Sequence, residues 1–161
     1  MPTITIAEGQ VATVNPADTL KYPSINSCLS ITTVLPQTTR LGGHAVLVPE
    51  GDQLELQGIC DSIQTRAYAD QLYVIGDIGT WNENWDQLPQ CQTLRIDGHA
   101  VANVADMAAR LGYPTAVLFD INAWGGGTFD VYFGFENDAR SLWGEDTRTH
   151  QRVGVPDHPS W

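Results

Sequence analysis

A chain of 161 residues, 42% hydrophobic and 17% charged, has the size and composition of one globular domain, not of a disordered polyelectrolyte. Eight Lys and Arg face nineteen Asp and Glu, for a net charge of -11, so the surface repels phosphate backbones and nucleic acid is not an expected partner. The opening residues lack the basic start and apolar stretch of a secretory leader, and no stretch approaches the roughly 18 apolar residues of a membrane span. The expectation is therefore no membrane insertion, and a protein that stays in the cytoplasm or is exported without a cleaved leader.

In chain order, residues 4–14 alternate loosely and predict an early strand region, closed by the turn signal Asn15-Pro16. Residues 20–27 are less regular, and Pro23 breaks them. Residues 28–35 read CLSITTVL, whose β-branched and apolar content predicts a strand. A turn follows over 36–40. Gly42-Gly43 then lead into a second strand over 44–48, ended by Pro49. Two strands joined by a short turn make a hairpin. Cys28 falls near its open end and His44 at the start of its second strand.

Leu54, Gln57, Gly58 and Asp61 suggest a short helix, weakened by Gly58. Residues 72–78 alternate as a strand, with Gly76 marking a bulge or close approach. Residues 79–92 read as a loop, its Trp81 and Trp85 either pinned to the core or stacked on a ligand. Residues 99–112 give the clearest helix, since Val101, Val104, Met107, Ala108 and Leu111 recur at helical spacing before Gly112. Strands are predicted over 116–121, 129–135 and 140–143, with a glycine turn at 125–127. Residues 147–161 read as a polar tail, leaving 1–146 as the domain. Strands that do not alternate strictly with helices point to α+β rather than a doubly wound sheet.

Cys28, Cys60 and Cys91 are odd in number and lack CxxC spacing, which argues against both a disulfide framework and a zinc knuckle. Cys60 and Cys91 read as small buried apolar side chains. A catalytic thiol needs an imidazole in reach and a third group to hold that imidazole. Cys28 and His44, 16 positions apart on the two strands of one hairpin, are expected to come within reach and meet the first requirement, although the unequal strand lengths do not fix them as facing positions. His99, His150 and His158 have no ligand spacing. No metal site and no cofactor are expected, although Cys28 and His44 alone could take up zinc adventitiously.

The stretch 26–49, NSCLSITTVLPQTTRLGGHAVLVP, resembles the signature of the CheD family of chemoreceptor glutamine deamidases. Ser27-Cys28, Leu35-Pro36, Gly42-Gly43-His44 and Val48-Pro49 match it in order and in near-identical spacing. Residues 103–112, 118–128 (with Asp120 and the glycine run) and 131–143 resemble the family's later helix, its D-x-G-G segment and its closing hairpin. The likeness covers roughly residues 10–144, and a similar site occurs in the cytotoxic necrotizing factor toxins. The resemblance implies an α+β fold with a central mixed β-sandwich flanked by helices. It implies Cys28 as nucleophile, His44 as acid and base, and a protein substrate bearing a glutamine. The expected function is therefore a protein-glutamine deamidase, in the setting of a bacterial effector or toxin.

The sequence departs from that family in three places. Tyr22 stands where the family carries an orienting Thr, so Tyr22 becomes the candidate to orient His44, by hydroxyl or by carbonyl, with Ser24 and Thr19 behind it. Asn26 replaces a Gly before the Ser-Cys pair. The helix after the His strand is shortened, which removes the receptor-recognition surface. Rival expectations are a non-catalytic interaction module on the same fold, or another small cysteine amidase or peptidase.

Overall fold

The computed structural model describes residues 2–64, 66 and 68–161. The chain runs β1 (Thr3–Thr5), β2 (Val11–Val14), β3 (Thr19–Ile25), β4 (Leu29–Val34), β5 (Arg40–Ala45), α1 (Leu56–Ile63), β6 (Gln71–Gly76), α2 (Ile78–Asn84), α3 (Pro89–Gln92), β7 (Arg95–Ile96), β8 (His99–Ala100), α4 (Val104–Arg110), β9 (Thr115–Asp120), β10 (Phe129–Glu136), β11 (Ala139–Asp146) and β12 (Arg152–Gly154). This is an α+β protein. A first sheet has the order β1-β3-β10-β11-β12 and a second the order β2-β5-β4-β6-β9. Both are mixed: β1/β3 and β6/β9 are parallel and their other pairs antiparallel. No helix among the described residues is long and apolar enough to cross a membrane.

The second sheet is apolar on both faces, so it is covered twice. On one face Leu29, Ile31, Leu72 and Val74 pack with Ile59, Trp81, Met107 and Leu111 of the helices. On the other, Cys28, Tyr73 and Ile75 pack with Leu20, Tyr22, Phe129 and Phe133 of the first sheet. Alternation along β4 and β5 decides which side chain enters which layer. The register pairs Ser30 with His44, Thr32 with Gly42 and Val34 with Arg40. His44 thus faces the layer between the sheets.

Several expectations change. Pro23 lies inside β3. It is tolerated because β1 pairs with β3 only as far as Lys21, so no β1 partner needs its missing N–H. Residues 79–92 are helical instead of a loop: the Asp77 carboxylate caps α2 by accepting from the Thr80 N–H, and Trp81 is fully buried. The helix expected over 99–112 is confined to α4, with Asn103 as its cap, because His99 and Ala100 pair with β7 instead.

The supposed polar tail at 147–161 is part of the domain. β12 pairs with β11, and the Trp161 ring is buried over the Arg40 guanidinium at 4.2 Å. Arg40 is itself buried and donates to the carbonyls of Phe133, Asn15 and Asp18 at 2.7, 2.5 and 2.7 Å. A buried cation with main-chain acceptors and an aromatic lid recruits a segment whose composition looks disposable.

Gly42 and Gly43 make β5 thin. A Cβ at 42 would lie 1.9 Å from the Tyr22 hydroxyl, and one at 43 would lie 2.5 Å from Ile59 Cγ2. Gly42→Ala is expected to cost about 1–3 kcal/mol through overpacking. Because the clashing atom is the Tyr22 oxygen, the cost should shrink in a Tyr22→Phe background. Urea unfolding of the four proteins in the cycle tests this; strictly additive losses would contradict the contact.

Candidate active site

The site forms where two chain segments cross from one sheet to the other. Residues 6–10 link β1 to β2 and wrap around His44. The Gly9 N–H donates to the His44 carbonyl at 2.7 Å, and the His44 N–H donates to the Gln10 carbonyl at 3.0 Å. The imidazole Nδ1 lies 2.9 Å from the Ile6 carbonyl. A carbonyl only accepts, so Nδ1 carries the proton and Nε2 of the neutral ring keeps a lone pair. The bend needs glycine: Gly9 has φ +77°, and a Cβ there would lie 2.4 Å from Gln53 Cβ.

Residues 26–28 make the second crossing, from β3 to β4. Trp81 Nε1 donates to the Ser27 carbonyl at 2.8 Å, and the Asp77 N–H donates to the Cys28 carbonyl at 3.1 Å. Asn26 Nδ2 donates to Thr128 Oγ1 at 3.2 Å. Trp81 is thus pinned to the core, and its polar edge holds the residue before the thiol.

These crossings bring Cys28 and His44 together at one end of the inter-sheet layer, and add Glu8. The Cys28 sulfur, a carboxylate oxygen of Glu8 and a ring nitrogen of His44 lie within 4.8 Å of one another. Cys28 is 5% exposed and His44 fully buried, while Glu8 is exposed. The Cys28 thiol donates toward Glu8 Oε1 at 3.9 Å, the outer limit for such a bond. His44 Nε2 is buried without a hydrogen-bond partner. With Nδ1 occupied by Ile6, Nε2 is the nitrogen left for the thiol.

Tyr22 does not orient the imidazole as expected. Its hydroxyl pairs with Thr32 Oγ1 at 2.5 Å, 3.4 Å from the Ile31 carbonyl, and only its ring meets His44, edge-on at 5.9 Å between centroids. The reason is reach: the phenol spans the layer and finds Thr32 on β4, while the Nδ1 acceptor comes from Ile6. Sequence reasoning missed both Ile6 and Glu8. The Glu8-Gly9 pair marks a sharp turn, but its meeting with His44 follows from β2 pairing with β5, which no local pattern specifies.

Burial first, and then the Glu8 charge, push the Cys28 thiol from its ordinary 9.0 up to about 12. Burial lowers His44 below its ordinary 6.5, against the opposing pulls of the Ile6 hydrogen bond and the Glu8 charge. The resting pair is a neutral thiol beside a neutral imidazole. Glu8 acts in two directions: it disfavours a thiolate at Cys28 and favours an imidazolium at His44. Cys60 and Cys91 are buried on the helix side, and burial raises each to about 12.

Two outcomes follow. Glu8→Gln should speed alkylation of Cys28 by iodoacetamide at pH 8, because the carboxylate charge that helps to raise its value is gone; an unchanged rate would mean that the Glu8 charge does not act on the thiol. Stability should also fall on both sides of neutrality. Below the unfolded His value of 6.5 the unfolded chain binds a proton that buried His44 resists, so stability drops as pH falls. Above the unfolded thiol value of 9.0 the unfolded chain releases protons that Cys28, Cys60 and Cys91 retain until about 12, so stability drops as pH rises. Thermal unfolding from pH 5 to 10 measures both limbs, and a Cys60→Ala variant should flatten the alkaline one.

No family model matches this chain, and neither does any curated protein, so the likeness of residues 26–49 to the deamidase signature stands on its motif alone.

Proposed function

We propose that the chain is a thiol amidohydrolase that converts the side-chain amide of a protein-bound glutamine to a carboxylate. One observation carries this reading: a buried imidazole is tied through Nδ1 to Ile6 and keeps Nε2 unpartnered, and one of its ring nitrogens lies within 4.8 Å of the Cys28 sulfur. The likeness of residues 26–49 to the CheD signature supplies the substrate class, and a bacterial effector or toxin is the setting it fits. The small exposure of the thiol favours the same class: Cys28 is 5% exposed. A primary amide at the end of two methylenes reaches such a thiol more easily than a peptide bond flanked by chain on both sides.

In this reading His44 Nε2 takes the thiol proton as Cys28 Sγ attacks the amide carbon. The oxyanion is held by main-chain N–H groups around Cys28. The imidazolium, favoured by Glu8, returns the proton to the nitrogen, ammonia departs and a thioester remains. Water, deprotonated by His44, then releases glutamate and the thiol. The raised Cys28 value makes this a general-base attack rather than one from a standing thiolate.

A second reading has a specific observation in its favour. A thiol held at about 12 beside a carboxylate is also what an inert, non-catalytic interaction module would carry.

The deciding experiment incubates glutamine-bearing candidate proteins with the wild type and with Cys28→Ser, followed by peptide mass spectrometry. The amidohydrolase reading expects a gain of about 1 Da at a glutamine with the wild type alone, the change that thiol-mediated amide hydrolysis requires. His44→Ala should reduce that rate by about 10²–10⁴-fold. No gain on any candidate, with Cys28 alkylating no faster than Cys60, would establish the module instead.

A further inference from the structure

We propose that Glu8, Cys28 and His44 form a binding site for a zinc-type divalent transition metal, which holds the thiol out of use when bound. The binding site stands independently of the amidohydrolase reading; its consequence, metal inhibition of the thiol chemistry, rests on that reading.

The donor set is mixed: one thiolate, one imidazole and one carboxylate. That combination suits zinc and its neighbours, whereas calcium and magnesium take oxygen ligands and avoid sulfur. A tetrahedral zinc with its usual bond lengths places such donor atoms about 3.3–3.6 Å apart. Here the sulfur and the carboxylate are 3.9 Å apart, and all three donors fall within 4.8 Å. The contraction that ideal geometry asks for is at most about 1.5 Å. Glu8, which is exposed, can supply it for its own two distances, and any closing between Cys28 and His44 falls to the Cys28 side chain, which is 5% exposed.

His44 provides the independent indication. A ligating imidazole typically donates its other N–H to a carbonyl or carboxylate, which fixes the tautomer and the ring. His44 has this arrangement, with Nδ1 on Ile6, and its Nε2 is buried with no partner. A buried acceptor without a donor is costly in a protein interior. A metal supplies the missing Lewis acid.

The charges also close. The carboxylate and a thiolate together neutralise a dication, and the imidazole binds neutral. As the metal–sulfur bond forms, the thiol proton leaves to solvent. Three protein ligands leave a fourth position, open to water. The sulfur lone pair that would attack an amide is then committed to the metal.

The test uses the full chain, freed of metal with a chelator, titrated with Co²⁺ as a spectroscopic probe and with Zn²⁺ in competition. The expected result is a thiolate-to-cobalt charge-transfer band that saturates at one equivalent and is displaced by Zn²⁺. It should vanish in Cys28→Ser. In Glu8→Gln the affinity should fall by about tenfold or more, since even a second-shell partner is worth that much. Glu8 is exposed, so this variant keeps its fold, which circular dichroism verifies. Zn²⁺ should also protect Cys28 from alkylation without protecting Cys60 or Cys91.

A band that persists in Cys28→Ser, the absence of any band, or an affinity unchanged in Glu8→Gln would each overturn the site. None of these readouts requires amide hydrolysis. Metal binding without deamidating activity would therefore refute the proposed reaction and leave the metal site intact, and the converse result would do the opposite.

Discussion

The hydrogen bond from His44 Nδ1 to the Ile6 carbonyl is the constraint around which the site is organised. It belongs to a set of three, because the main-chain N–H and carbonyl of His44 are bonded to the same short segment. That segment carries the chain from the first sheet to the second. One stretch of five residues therefore closes the layer, fixes the ring, chooses its tautomer and carries Glu8 to the thiol. Moving any one of these moves the others. An imidazole buried in an apolar layer would otherwise rotate or protonate, and either would abolish a directed lone pair.

The surroundings keep the thiol protonated at rest. Desolvation and a carboxylate neighbour work together against a thiolate, while the same carboxylate favours a proton on His44. The result differs from a standing ion pair, in which a cysteine is reactive toward any electrophile in solution. A site of this kind acts only when something changes its balance, such as a substrate that takes up the sulfur lone pair as the proton leaves, or a cation that takes up both anions. Selectivity of the thiol then arises from its environment, not from a separate lid.

Much of the frame was legible from local patterns. The strand over 28–35, its partner across a turn and the α+β class follow from apolar runs, turn residues and the absence of strict alternation between strands and helices. The pairing of Cys28 with His44 in space was only partly legible: the hairpin's second strand runs over Arg40–Ala45 instead of 44–48, and that earlier start is what sets His44 near the strand's end, opposite Ser30 and close to Cys28. Hidden features were those decided by long-range pairing. Ile6 and Glu8 reach His44 because β2 adds to the edge of β5. Tyr22 occupies the position where an orienting side chain was expected, but its length carries the hydroxyl past the imidazole to Thr32. Residues 79–92 looked like a loop for want of apolar periodicity, yet Asp77 caps a helix there and Trp81 anchors it. The polar composition of 147–161 concealed one large side chain, Trp161, that a buried guanidinium draws into the core.

The thinness of β5 at Gly42 and Gly43 also bears on inheritance. Tyr22 presses on one face of the strand and Ile59 on the other, so neither glycine can be exchanged unless a residue in another layer changes with it. Glu8 sits on an exposed turn and can be exchanged in a single step. Drift should therefore erase the acid long before it touches the glycines. A descendant lacking Glu8 would keep a thiol–imidazole pair of altered temper, whereas one lacking the glycines would have had to rebuild two layers at once.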